Sequence, residues 1–269
     1  MDTRMQRPLP VPRSAHWGIA IGPASGPDPA LSLDVDEELR VASVSKLLLL
    51  AATAVAIEAG ELDPATQLDR RSVAPVRDSG IWQHLDQPTL SVHDVATLIG
   101  AASDNLATNV LLDTLGLERV RSAAAGLGIT GVDLHDRVRD ERTDEHPRTL
   151  GTATARGAFD LTAGIASGTL GGTDVSARMR GWLSNSLDLS MVASALRLDP
   201  LAHGAGGAAT AVVNKTGTDV GVRADAGFVE TASGTVVYCA IANWSGDEAV
   251  LGAVMDGMRA IGDAVLRLE

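Results

Sequence analysis

The spacing of apolar and polar positions changes character twice along the chain. Residues 16–21 form a short apolar run, Gly22 to Pro29 is rich in Gly and Pro, and a second run covers 31–35, which predicts a β-hairpin. Residues 44–59 are apolar nearly all round and Gly60 follows, so a buried helix is expected there. Pro64 to Pro88 is a long polar connection. Ser91 and Asp94 have the spacing of a capping box opening a helix from Val92 to about Gly100. Leu106, Val110, Leu111 and Leu115 carry helical spacing over 105–115, and a shorter helix fits 117–125. Residues 133–149 mix charges with no apolar period and read as a surface loop. Helices are expected from about Ala153 to Ser167 and from Asp174 to Leu187. The chain then returns to strands: Ala211–Val213, Ala226–Glu230 and Val236–Asn243, the last two joined by the turn Thr231–Gly234. An apolar-faced helix over Ala249–Leu268 closes the chain.

Strands at both ends and helices between them predict an α+β fold. One antiparallel sheet, built from both chain ends, is flanked by helices, and an all-α part is inserted between the ends. No internal repeat interrupts that pattern. Aromatic residues are only 3% of the 269, so the core is built from Ala, Val, Leu and Ile. The net charge of −12 repels phosphate backbones and anionic lipid, which argues against nucleic acid and membrane surfaces as partners. Cys239 is alone and lies in an apolar run, so it reads as a small core residue. Met1 to Ser14 has no apolar signal core, and no stretch reaches the ~18 apolar residues of a membrane span. The expected location is therefore the cytoplasm, or outside the cell if a leader has been trimmed. No oligomeric state follows from the sequence.

Three short polar groups carry candidate chemistry. In Ser43-Val44-Ser45-Lys46 a helix start places Ser43 and Lys46 on one face, one turn apart. The flanking Val41-Ala42 and Leu47-Leu48 are apolar, so the lysine must be desolvated or find partners. A desolvated lysine loses basicity and can take a proton from a neighbouring hydroxyl. Ser43 also reads as a simple helix cap. Ser103-Asp104-Asn105 lies between two predicted helices, where short polar residues commonly cap. Lys215-Thr216-Gly217 follows a short strand and also fits a surface turn.

In this order and in these settings, the three groups together resemble class A β-lactamases and penicillin-binding proteins. The first two serines lie 60 residues apart, close to the class A arrangement. The resemblance covers the chain from Trp17 to the last helix. It implies a single domain over 1–269, with an α/β part near 14–50 and 195–269 and an all-α part near 51–194. By resemblance, Ser43 is the nucleophile, Lys46 helps deprotonate it, and Ser103 relays a proton to the leaving nitrogen. Asn105 orients the substrate amide and Lys46. Lys215 supplies positive potential, and Thr216 and Thr218 bind a substrate carboxylate. The backbone N–H groups of Ser43 and Thr218 form the oxyanion hole, with Gly217 between the strand residues. Arg223 is either a second cation for the carboxylate or a strand-edge arginine. Trp82 either flanks the substrate or packs at the surface. The six histidines show no zinc spacing, and neither a metal nor a cofactor is expected.

The pattern departs from class A in the loop at 133–149. Ungapped spacing puts Arg139 where the family has the glutamate that activates water, and the accompanying Leu-Asn pair is absent. Arginine cannot serve as a base. The neighbouring Asp140 and Glu141 are either replacements, with Glu141 as the candidate base, or solvated loop carboxylates. The acid that pins the far end of this loop in the family is also missing before Thr152. The expected function is a serine hydrolase acting through an acyl-enzyme on a β-lactam or related amide. The alternatives are a cytoplasmic esterase, amidase or peptidase on a non-lactam substrate, and a protein that captures β-lactams and releases them slowly.

Overall fold

The computed structural model describes residues 9–26, 28–202 and 211–268. The first eight residues, Pro27 of the first turn and 203–210 of the expected C-terminal part lie outside them. The two chain ends build one antiparallel five-stranded sheet in the order β2-β1-β10-β9-β8. Its strands are β1 (His16–Pro23), β2 (Leu31–Leu33), β8 (Ala211–Asp219), β9 (Val222–Thr231) and β10 (Gly234–Asn243). β10 is central: Tyr238 pairs with Ile21 on one side and Gly227 on the other.

Alternation along these strands gives the sheet two apolar faces. Ile19, Ile21, Val212, Val229 and Tyr238 face one way, onto Val254, Met258, Ile261 and Val265 of the closing helix α7 (Glu248–Val265). Burying each large side chain there contributes roughly 1.5–3 kcal/mol. Val213, Ala226, Phe228, Cys239 and Ile241 face the other way, into the core shared with α1 (Lys46–Glu58) and α5 (Ala155–Ser167). Between them the chain forms α2 (Val92–Ala102), α3 (Asn105–Leu115), α4 (Leu117–Gly126) and α6 (Thr173–Leu183). The short β3 (Leu39–Arg40), β6 (Val132–Leu134) and β7 (Gly151–Ala153) pair in the order β3-β7-β6, and β4 (Gln67–Asp69) pairs with β5 (Thr89–Ser91). Among the described residues, no helix is long and apolar enough to cross a membrane.

Several expected boundaries move. The buried helix begins at Lys46, because residues 42–45 form a tighter 3-10 turn. α5 begins two residues late: Thr154 caps it by accepting from the Gly157 N–H, and Gly151–Ala153 pair as β7 instead. α6 stops at Leu183, four residues early, and the Leu187 N–H turns back to the Ala101 carbonyl. The strand expected over 211–213 runs on to Asp219. Lys215-Thr216-Gly217 therefore lies on a strand, with Lys215 opposite Ala226 and Gly217 opposite Ala224. The polar connection 64–88 contains β4 and two 3-10 turns. Cys239 is buried in the shared core, and burial pushes its thiol far up.

Candidate functional site

Ser43 sits in the 3-10 turn ahead of α1, and several contacts fix that turn. Arg40 and Asn243 exchange two hydrogen bonds, Arg40 N–H to Oδ1 at 2.9 Å and Nδ2 to the Arg40 carbonyl at 2.8 Å. The Val41 N–H donates to the Gly151 carbonyl, and the Ser45 hydroxyl donates to the Ala42 carbonyl. Ala42 takes φ +46°, a left-handed conformation that costs a non-glycine residue on the order of 1–3 kcal/mol. β8 presses on this turn from the sheet side. A Cβ on Gly217 would lie 2.1 Å from the Val41 carbonyl oxygen and 3.1 Å from the Ser43 nitrogen. Only glycine allows that approach.

Lys46, one turn after Ser43, is fully buried. Its Nζ donates to the Ser103 carbonyl at 2.6 Å, to Asn105 Oδ1 at 2.8 Å and to Ser103 Oγ at 3.3 Å. Burial holds its pKa well below the ordinary value, and the charge on Lys215 lowers it further against Asp104 and Asp78. The Ser103 carbonyl reaches the amine because Ser103 ends α2 with φ +53°. Asp104 caps α3: its Oδ1 accepts from the Ala107 N–H, and its Oδ2 accepts from the N–H groups of Ile81 and Trp82. The central residue of this triplet therefore caps a helix and ties down the preceding connection, while its two neighbours hold the lysine.

Ser43, Ser103, Asn105, Lys215, Thr216 and Thr218 line one cleft of about 960 Å³. Gly217 lies beneath, against the Ser43 turn. Lys215 is buried and donates to the Thr216 carbonyl at 2.7 Å. Burial lowers its pKa to about 8, against the opposing pull of Asp188 and Asp225. Arg223 is outside the lining. It pairs with Thr218 across the hairpin, donates to the carbonyls of Asp219 and Val222, and lies over the Trp244 ring at 5.9 Å.

The charged loop forms the far wall. Asn109 grips Val138 by both backbone groups, Nδ2 to its carbonyl and Oδ1 from its N–H. Val138 thus lines the cleft at the gripped position. Arg139, beside it, pairs with Asp136 at 2.6 Å, and Arg142 joins the same carboxylate at 2.8 Å. Burial works against the Asp136 charge, but the two arginines hold its pKa down near 2. These two ion pairs tie residues 136–142 together within the loop. Asp140 bonds the Arg77 N–H, and Glu141 is exposed on the lining.

Trp82 does not line the cleft. It is fully buried, with its indole N–H donating to the Gln87 carbonyl, and the adjacent Ile81 is exposed on the cleft wall instead. The Asp104 bonds to both their N–H groups fix the backbone that turns the Trp82 side chain inward. Asp188 and Asp219 also line the cleft. No motif pointed to Asp188, a lone aspartate just past the end of the helix expected over Asp174–Leu187.

A model of a β-lactamase enzyme family matches residues 16–267. No curated protein matches the chain. Among solved structures, a β-lactamase from Sphaerobacter thermophilus superposes with a TM-score of 0.79 at 25% identity, over 94% of this chain and 90% of that one. A mutant of PBP-A, solved as an acyl-enzyme complex with penicillin G, gives 0.74 at 19% identity over 95% and 92%. A β-lactamase from Burkholderia vietnamiensis gives 0.76 at 17% over 95% and 91%.

Proposed function

The chain belongs to the β-lactamase enzyme family, and on that premise we propose that it is a serine hydrolase of the class A type, forming an acyl-enzyme on Ser43 with a β-lactam or related amide. The observation that carries this reading is the buried Lys46 amine, depressed in basicity and bonded to Ser103 and Asn105 on the cleft that Ser43 and Lys215 line. Ser43 Oγ attacks the amide carbonyl carbon and gives its proton to neutral Lys46 Nζ. As the C–N bond breaks, Ser103 Oγ gives its own proton to the leaving nitrogen and takes in exchange the proton that Lys46 accepted from Ser43. The backbone N–H groups of Ser43 and Thr218 stabilise the developing oxyanion, each worth a few kcal/mol. Asn105 orients the substrate amide, and Lys215, Thr216 and Thr218 hold its far end. Arg223, outside the lining, acts there only through its charge.

Release of the acyl group needs water and a base. We assign that base to Glu141, the glutamate on the cleft lining. The gripped position carries Val138 and its neighbour Arg139 is tied to Asp136, so neither supplies one. Glu141 is exposed, which supports a second reading in which acylation outruns release and the protein mainly captures its substrate. Steady-state turnover of a chromogenic cephalosporin tests both. Ser43→Ala abolishes turnover on the proposed mechanism, and Glu141→Gln slows it about 10²-fold or more. Full turnover by Ser43→Ala would exclude the nucleophile. An unchanged rate in Glu141→Gln would remove Glu141 from the mechanism.

A further inference from the structure

Among the cleft carboxylates that belong to none of the three signatures, Asp188 lies against the strand that carries Lys215. Asp188 follows α6 and shares the wall with Lys215, Thr216 and Thr218. It is built into place. Its Oδ1 accepts from the Ser190 N–H at 3.1 Å and from the Ser190 hydroxyl at 2.6 Å, and the Thr216 hydroxyl donates to the same carboxylate. Its backbone carbonyl accepts from Asn214 Nδ2 at 3.3 Å. Burial opposes its charge, but these bonds and Lys215 keep its pKa below the ordinary carboxylate value, so it is ionised at neutral pH. Its charge acts on both Lys215 and Arg223. Asp219 lines the same end of the cleft.

The residues assigned to hold a substrate carboxylate thus already face a carboxylate of the protein. The Thr216 hydroxyl already bonds Asp188, whose charge acts on both cations. A second carboxylate brought here would meet Asp188 at close range in a partly buried site, where like charges repel more strongly than in water. An uncharged carboxamide meets no such penalty. Its oxygen accepts from Lys215 and Thr218, and its N–H groups donate to Asp188, which has spare acceptor capacity.

We propose that Asp188 is a specificity-determining residue that fills the carboxylate end of the cleft and selects substrates carrying an uncharged amide there over those carrying a free carboxylate. The proposal rests on the Ser43 reading for the position of the substrate. It is tested by binding, which needs no acylation. Penicillin G and its derivative with the carboxylate converted to a primary carboxamide are titrated calorimetrically against Ser43→Ala protein, with Asp188 intact or changed to Asn. With Asp188 intact, the amide binds at least about tenfold tighter, a difference of about 1.4 kcal/mol. Asp188→Asn removes or inverts that ratio, mainly by tightening the acid. Asp188→Ser provides a second neutral variant should the first fail to fold. Equal or tighter binding of the acid with Asp188 intact would overturn the proposal, as would a ratio unmoved by the substitution or no binding of either ligand at millimolar concentration. Acylation of the unsubstituted protein separates the two claims. Selective binding with no Ser43 adduct would sink the serine chemistry alone, and faster acylation by the acid would sink the role of Asp188 alone.

Discussion

Lys46 can accept the Ser43 proton only as a free amine, and its surroundings favour that form. Burial is the largest cause, with Lys215 second. The acylation rate should therefore rise with pH through the depressed Lys46 pKa. It should fall again as Lys215 loses its charge near pH 8. Lys215→Gln removes one of the two causes lowering Lys46, so the acid limb of the profile should move to higher pH in stopped-flow acylation. A profile that keeps its acid limb in Lys215→Gln would separate the two lysines. Lys46→Ala should cost about 10²- to 10⁴-fold in acylation. In the sequence each of these groups also fitted a cap or a turn, and only their order and settings together singled them out; the structure brings them to one cleft. Asp188 was not legible. A lone aspartate after an amphipathic helix carries no pattern, and only the early end of α6 turns it into the cleft.

At the level of elements, the site depends on how closely β8 approaches the Ser43 turn. Gly217→Ala puts a methyl group against the Val41 carbonyl, so the strand or the turn must shift. Acylation should drop about 10²-fold or more, since a displacement of about 1 Å costs that much, while the circular dichroism spectrum stays folded. Unchanged acylation in Gly217→Ala would mean that the turn tolerates displacement. The wall loop depends on Asp136. Asp136→Asn frees Arg139 and Arg142 and should speed limited proteolysis within 137–148; an unaltered cleavage rate would show that Asn109 holds the loop unaided. Helices with a clear period and a cap came through from the sequence nearly intact, as with Ser91 at α2 and Asn105–Leu115 at α3. Short strands did not. β3, β4 and β7 are two or three residues long and gain their pairing from partners distant in the chain, which local periodicity cannot register. Trp82 turned inward for a similar reason, because Asp104, over twenty residues on, sets its backbone.

For the whole molecule, Asp225 contributes to the pH response of stability. It is fully buried in the sheet and bonded by Asn214 Nδ2, the Val192 N–H and the Tyr238 hydroxyl. Burial raises its pKa from 3.8 to about 7 despite those bonds. A carboxyl whose pKa is raised on folding binds its proton more tightly in the native state. The stabilisation is fully present below its unfolded pKa and is lost as pH climbs through about 7. The Asp225 contribution to stability should fall by an amount on the order of a few kcal/mol as pH rises from its unfolded pKa to about 7. Lys46, whose pKa is depressed on folding, opposes it, so the contribution is read as the difference in the pH slope of Tm between the protein and its Asp225→Asn variant. An equal slope in the variant would place the titration elsewhere. The α+β arrangement itself was readable because strands sit at both chain ends, and the sheet joins them through β1 and β10.

On the proposed mechanism one serine oxygen, activated by a neutral buried amine, takes the acyl group. Intact-protein mass spectrometry after mixing with penicillin G tests it most directly, with peptide mapping of the product. The expected product gains the mass of one penicillin, mapped to Ser43, absent in Ser43→Ala and slowed in Lys46→Ala. An adduct mapped to any other residue, or neither adduct nor hydrolysed penicillin across a range of pH, would contradict it.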